Sequence, residues 1–385
     1  MSNVRIGIVG IGGMGSNHAG YISRGEVPGG ELTAVCDINP ARLEWAAVKF
    51  GDEVSRFENA EAMFASGKVD AVMIATPHYE HPPLSISALN HGLHVLCEKP
   101  VGVYTKQVYE LNEVAKKSDK KFALMFNQRT RPVHRKLKEL VDSGELGEIK
   151  RTCWTITDWF RSQFYYDSGG WRATWAGEGG GVLLNQCPHN LDLWQWICGM
   201  PSRVRAFCHF GKYHDVEVED DVTAYAEYPN GATGLFIATT GEAPGTNQLE
   251  IACDRGKIVL ENGKLTFWRT REPVSKFLRE TQTGFGKPET WTCDIPAGGA
   301  GEEHIGVTKA FVKAILEKTP LVAEGVEGVN SLELSNAMLL SSWTEDWVDL
   351  PVDARQFHDL LQQKIESSTV KKDGVGRVMS VDNTF

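Results

Sequence analysis

Short β-rich apolar runs alternate with amphipathic stretches through residues 4–126. Residues 4–9, 31–36, 70–75, 93–97 and 121–126 read as strands, and residues 14–24, 40–50, 83–91 and 104–118 as helices. Pro40 opens the second helix, where a missing N–H is tolerated. The run DAVMIA at 70–75 is apolar without a break, as in a strand buried on both faces. Strands alternating with helices predict a parallel, doubly wound α/β sheet. After that the rhythm changes. A basic helix is expected over 131–141, ending at Ser143-Gly144, and an aromatic-rich stretch fills 152–175. Gly179-Gly180-Gly181 leads into a helix from Val182 that carries Leu184, Leu191, Leu193 and Ile197. Strand-like segments follow at 203–210, 217–228, 232–240, 248–253, 257–260 and 264–268. Asn230-Gly231 and Asn262-Gly263 between them are hairpin-turn signals. This half is therefore expected to be α+β, a large and mostly antiparallel open sheet. The Val182 helix and late helices at 303–316 and 327–348 should cover one face of it.

A chain of 385 residues is long for one domain. The change of rhythm places the boundaries at 1–126 and 127–370, with a loose polar tail at 371–385. Apolar residues make up 42% and charged residues 23%, which suits a globular chain with a sizeable core. The formal net charge of -10 argues against nucleic acid or an anionic membrane as partner, because phosphate binding needs clustered Lys and Arg. No stretch approaches the roughly 18 apolar residues of a membrane span. Met1-Ser2-Asn3-Val4-Arg5 runs into a strand without a leader pattern, so a cytoplasmic protein is expected. The eight cysteines are scattered and none forms a CxxC pair; they read as reduced, buried thiols.

Gly10-Ile11-Gly12-Gly13-Met14-Gly15 has the G-x-G-x-x-G form, with a strand before it and a helix after it. Gly10 permits the tight turn, Gly12 lets backbone approach a diphosphate, and Gly15 lets the helix pack close. The helix N-terminus then offers N–H groups to the negative charge. Asp37 lies 22 positions after Gly15, at the end of the second strand, where a carboxylate accepts from the ribose hydroxyls of NAD. Its alternative is a turn residue before Asn39-Pro40. Arg42 nearby leaves NADP open. Ala75-Thr76-Pro77 and Glu98-Lys99-Pro100 close two further strands, and ligands of such sheets bind beyond the carboxyl ends of strands.

These motifs occur in order with His81, Trp171-Arg172, Gly179-Gly180-Gly181-Val182-Leu183-Leu184-Asn185, His189 and Asp192. Together they closely resemble the family of glucose–fructose oxidoreductase, inositol dehydrogenase and rhizopine catabolism protein MocA (Gfo/Idh/MocA), over nearly the whole chain. The resemblance implies an NAD(P)-dependent dehydrogenase of sugars, sugar derivatives or cyclic polyols. It implies a Rossmann domain at 1–126 and a substrate-binding and oligomerisation domain at 127–370. By the same resemblance, Lys99 binds the reacting hydroxyl and stabilises oxyanion charge, and His189 is the general acid/base. Trp171 and Arg172 match a pair that contacts the cofactor. Thr76, Pro77, Glu98 and Asn127 line the dinucleotide, with Ile11, Gly13, Met14, Ile38, Ala75 and His81 completing its expected site. Asn185 departs from the family, in which many members carry Asp. One turn before His189 on a helix, that Asp would share the imidazole's face. Asn185 leaves two options: His189 works with Lys99 alone, or Asn185 binds a substrate hydroxyl and serves the chemistry that way.

The chemistry fits those residue types. Oxidising a secondary alcohol needs a hydride acceptor, a base near neutral pKa and a cation beside the nascent alkoxide. Without the resemblance, Lys99 could equally be a loop lysine and His189 a packed helix histidine. Asp158, Tyr165 and Tyr166 in the aromatic stretch suit the C–H faces and hydroxyls of a sugar, or else belong to the core. His209 with His214, or Cys187 with His189, make no convincing metal set. Three functions stand: a sugar or polyol dehydrogenase that releases NADH; a redox-neutral enzyme that retains NAD and transiently oxidises a ring hydroxyl, often at C3, to cleave a glycoside; and a non-catalytic dinucleotide sensor. Exposed edges and an apolar sheet face predict a homodimer or homotetramer.

Overall fold

The computed structural model describes residues 3–370. The first half runs β1 (Val4–Val9), α1 (Gly13–Ser23), β2 (Gly30–Cys36), α2 (Pro40–Phe50), β3 (Ser55–Phe57), α3 (Ala60–Phe64), β4 (Ala71–Ile74), α4 (His81–Asn90), β5 (His94–Cys97), α5 (Thr105–Lys117) and β6 (Phe122–Leu124). Its six strands are all parallel, in the order β3-β2-β1-β4-β5-β6. β4 is buried at every position, as its unbroken apolar run requires. The strand order reverses between β1 and β4, which opens a crevice at their carboxyl ends.

The second half continues with α6 (Pro132–Asp142), β7 (Ile149–Ile156), α7 (Gln163–Asp167), α8 (Pro188–Cys198), β8 (Arg203–Phe210), β9 (Glu219–Glu227), β10 (Thr233–Thr239), β11 (Asn247–Cys253), β12 (Gly256–Glu261), β13 (Lys264–Thr270), α9 (Val274–Glu280), β14 (Thr290–Ile295), α10 (Glu303–Glu317), α11 (Gly328–Thr344), β15 (Val348–Asp349) and α12 (Ala354–Ser367). Nine strands form one sheet in the order β14-β13-β12-β11-β7-β10-β9-β8-β15. Among the described residues β7 and β10 are its one parallel pair. Asn262 and Gly263 both have positive φ, 50° and 71°, the backbone of a two-residue type I′ hairpin.

Three expectations need correction. The aromatic stretch contains the strand β7, which sits mid-sheet with Thr152, Trp154 and Ile156 on its buried face; the period-2 signal was masked by the aromatic content around it. The helix expected from Val182 begins at Pro188. Residues 182–187 are consecutive turns, because the buried Glu219 carboxylate takes the Gly181 and Leu183 N–H groups. Third, α10 does not cover the second sheet. It packs on α1, β1 and β5 of the first half, where Val307, Phe311 and Val312 join Ile6, Ile8 and Val35 in one core. α11 and α8 pack on each other, and α11 also lies on β8. The tail expected at 371–385 lies outside the described residues.

Candidate active site

The glycine turn lies at the crevice. Gly10 has φ +82, and a β-carbon there would stand 2.8 Å from the Ala75 carbonyl oxygen. A β-carbon on Gly15 would stand 1.8 Å from the Gly10 carbonyl oxygen, so α1 can pack this close only with glycine at 15. A β-carbon on Gly12 would meet nothing within 4 Å and would project into the open crevice. No side chain caps α1, which leaves the first-turn N–H groups of Gly13 and Met14 to a ligand or solvent. Asp37 accepts the Ile11 N–H at 2.9 Å and the Asn39 N–H at 2.9 Å, which ties the glycine turn to the end of β2. Arg42 is pinned beneath the turn, donating to the Ile11 carbonyl at 2.7 Å and to Ser16 Oγ at 2.5 Å. Ile38 is 90% exposed on the rim.

The ends of β4 and β5 supply the next wall. Thr76 Oγ1 and Asn127 Oδ1 are buried without a hydrogen-bond partner, while Asn127 Nδ2 donates to Glu303 at 2.7 Å. Pro77 is exposed. The residues present fit a dinucleotide: an open glycine turn, an uncapped helix N-terminus, and two orphaned polar atoms on the neighbouring strand ends. His81 does something else. Both ring nitrogens face carbonyl oxygens, Pro100 at 2.6 Å and Thr76 at 2.8 Å, and the residue is 1% exposed. Burial pushes its pKa down while the two carbonyls push it up, and the ring lies between the two strand-end loops.

Glu98 is buried and bonded through Oε1 to His18 Nε2 at 2.7 Å; His18 Nδ1 meets the Tyr21 hydroxyl at 2.8 Å, and Tyr21 meets Thr308 of α10 at 2.7 Å. Burial opposes the carboxylate's charge, but the His18 hydrogen bond and the neighbouring imidazoles and Lys99 outweigh it and hold the pKa at about 2. Nothing in the sequence singled out His18, one turn into an ordinary-looking helix.

Lys99 Nζ donates to the Asn185 carbonyl oxygen at 2.8 Å. Burial lowers its pKa, against the attraction of Glu98 and Glu178. His189 lies in the first turn of α8, 7% exposed, with Nδ1 buried and unpartnered and its ring edge-on to Phe126. Burial first, then the Lys99 charge, drive its pKa well below 6.5, so the ring is neutral and can take a proton. Asn185 does not share a helical face with His189, because it precedes the helix. Its side chain donates instead to Glu178 and accepts from Tyr165 at 3.3 Å. Sequence reading missed Glu178, and no local spacing distinguishes it from the glycine run it precedes. Asp192 is a structural partner, bound by the Arg129 guanidinium at 2.8 and 2.6 Å.

Arg172 donates to the Tyr165 hydroxyl at 2.7 Å, and its guanidinium lies 4.6 Å from the Tyr165 ring and 4.8 Å from Trp171. Trp171 also meets His78 edge-on. Tyr165, Arg172, Asn185, Lys99 and His189 are thus brought together. Asp158 stays at the surface with Asn247. Tyr166 is 3% exposed, its hydroxyl on Thr240 and its ring on His214, which places it in the core rather than on the cleft.

Residues 4–126 match an oxidoreductase family with an NAD-binding Rossmann fold, and residues 134–259 match the GFO/IDH/MocA C-terminal domain. D-glucoside 3-dehydrogenase of Escherichia coli K12 is 31% identical, covering 91% of this chain and 98% of its own. Inositol 2-dehydrogenase of Rhizobium meliloti is 25% identical, over 88% of this chain and 96% of its own. The WlbA dehydrogenase of Chromobacterium violaceum, solved with NADH and UDP-GlcNAcA, is 28% identical with a TM-score of 0.78, covering 92% of this chain and 97% of that one. Similarity that runs through both halves and across the full length of a relative leaves one conclusion: this chain belongs to the Gfo/Idh/MocA family of NAD-binding oxidoreductases.

Proposed function

We propose that the protein oxidises a secondary hydroxyl of a sugar, glycoside or cyclic polyol to a ketone. The observation that carries this reading is the meeting of Lys99, from the end of β5, with the 185–189 segment of the second half: an ammonium on the Asn185 carbonyl beside a neutral, buried, unpartnered imidazole. The relatives' activities support the substrate class: they are named for dehydrogenation of a D-glucoside and of inositol. NAD, held by the glycine turn, Asp37, Thr76 and Asn127, supplies the hydride acceptor. Lys99 Nζ donates to the reacting oxygen and stabilises its growing negative charge. His189, left unprotonated by burial and the Lys99 charge, accepts the hydroxyl proton. Tyr165 forms the aromatic side of the substrate pocket, and Trp171 and Arg172, packed against it, face the cofactor. A second copy of the chain covers the open face of the nine-stranded sheet.

The test is a panel of free sugars, glycosides and polyols with NAD, read by NADH absorbance. Stoichiometric NADH with ketone supports the proposal. Cleaved glycoside without free NADH would replace it with the redox-neutral reading, and NAD binding without turnover on any member would favour a sensor. Lys99→Ala should abolish turnover while NAD still binds; unchanged turnover would remove Lys99 from the chemistry.

A further inference from the structure

Glu178 is a buried acid that the proposed reaction does not use. It is 1% exposed, just before the turn that delivers Asn185 and His189. Oε2 accepts the Ala173 N–H at 2.5 Å and Oε1 accepts the Asn185 side-chain amide. The orientation of that amide follows from its neighbours. Asn185 Oδ1 takes the Tyr165 hydroxyl at 3.3 Å and the Gln186 amide at 3.3 Å, and Tyr165 in turn takes Arg172 Nη1 at 2.7 Å. Each Glu178 oxygen therefore faces an N–H. A protonated carboxyl would turn an O–H against one of these donors, so the hydrogen bonds are those of a carboxylate. Burial works against that charge and raises the pKa of Glu178, while Arg172, the two N–H donors and Lys99 oppose the rise. The same Asn185 accepts Lys99 Nζ on its backbone carbonyl.

We propose that Glu178 is a positioning residue for Lys99: it locks residue 185, on whose carbonyl Nζ rests, and supplies the buried negative charge that keeps the ammonium protonated. This deepens the proposed function, since it rests on Lys99 being the group at the reacting hydroxyl. Lys99 is faced by the carboxylates Glu98 and Glu178, the guanidiniums Arg161 and Arg172, and the imidazoles His78, His81, His189 and His304. With the imidazoles neutral, two acids balance two guanidiniums. Removing one acid leaves a net repulsion on the ammonium.

The experiment exchanges the two side chains. Glu178→Gln removes the charge and leaves its amide nitrogen facing a donor. Glu178→Gln combined with Asn185→Asp reverses donor and acceptor in the 178–185 bond, keeps the Ala173, Tyr165 and Gln186 donors satisfied, and puts the carboxylate on residue 185. The Lys99 titration is read by pH-dependent competitive acetylation and mass spectrometry, without substrate or cofactor. In Glu178→Gln the midpoint should fall by about one pH unit, and in the exchange variant it should return to the wild-type value. With a substrate from the panel, Glu178→Gln should lower kcat about tenfold or more with NAD affinity unchanged, and its alkaline limb should move to lower pH. A Lys99 midpoint equal in wild type and Glu178→Gln overturns the proposal, as does an exchange variant that titrates like the single one. Should Glu178→Gln fail to fold, the exchange variant decides: a midpoint at or above wild type supports the proposal and a lower one overturns it. A failed sugar panel sinks the proposed function and leaves this titration standing.

Discussion

Glu219, at 0% exposure, lies under the turns that carry Asn185, and accepts the N–H groups of Gly181 and Leu183. Burial raises its pKa to about 7 despite those bonds. A carboxyl whose folded pKa is raised contributes stability that is complete below the unfolded value of 4.5 and is lost as pH rises through about 7. The shift corresponds to roughly 3 kcal/mol. Melting temperature should therefore fall between about pH 5 and pH 8, and Glu219→Gln should flatten that slope whatever its absolute stability. An unchanged slope in the variant would assign the loss to another group. The residues bearing on chemistry differed in how readable they were. Lys99 and His189 stand out because their motifs recur in order. Glu178 does not, since its meaning depends on an amide at 185 that the chain folds back to meet.

At the scale of elements, the β1-turn-α1 unit separates two roles of glycine. Gly15→Ala must displace α1, because its β-carbon would sit on the Gly10 carbonyl. Gly12→Ala displaces nothing in the protein but puts a methyl group into the crevice. Gly12→Ala should keep the wild-type melting temperature and lose about tenfold or more in NAD affinity, whereas Gly15→Ala should lose both. Calorimetry with NAD and a thermal melt without it separate them. Equal NAD affinity in wild type and Gly12→Ala would move the diphosphate away from this turn. α2 was readable to the residue, from Pro40 to Phe50, because Asn39 caps it through the Ala41 N–H and Gly51 ends it. The segment 182–187 was not, because its leucines mimic helical spacing while Glu219, brought in from β9, claims its N–H groups.

At the scale of the whole molecule, the second sheet leaves Phe207 55% exposed, with Tyr225 and Trp347 each 37% exposed. Arg203 and Arg205 lie over Trp347 and Phe207. Aromatic rings paired with arginine on a broad strand face suit a protein interface. Light scattering should give a dimer or tetramer, and Phe207→Glu should lower the mass while leaving the melt of the folded chain cooperative. A monomeric wild type would refute the covering by a second copy. α10 shows what the linear order conceals: it follows every strand of the second sheet except β15, yet packs on the first.

Local pattern alone settled the parallel α/β half, the hairpins, the glycine turn and the order of the family motifs, because periodicity, turn chemistry and spacing are properties of neighbouring residues. Contacts across 80 residues or more settled the rest. They brought Lys99 to the carbonyl of 185, which the nearby acid at 178 holds, and returned α10 to the first sheet. Buried charges and apolar faces find their partners only when the chain has closed on itself.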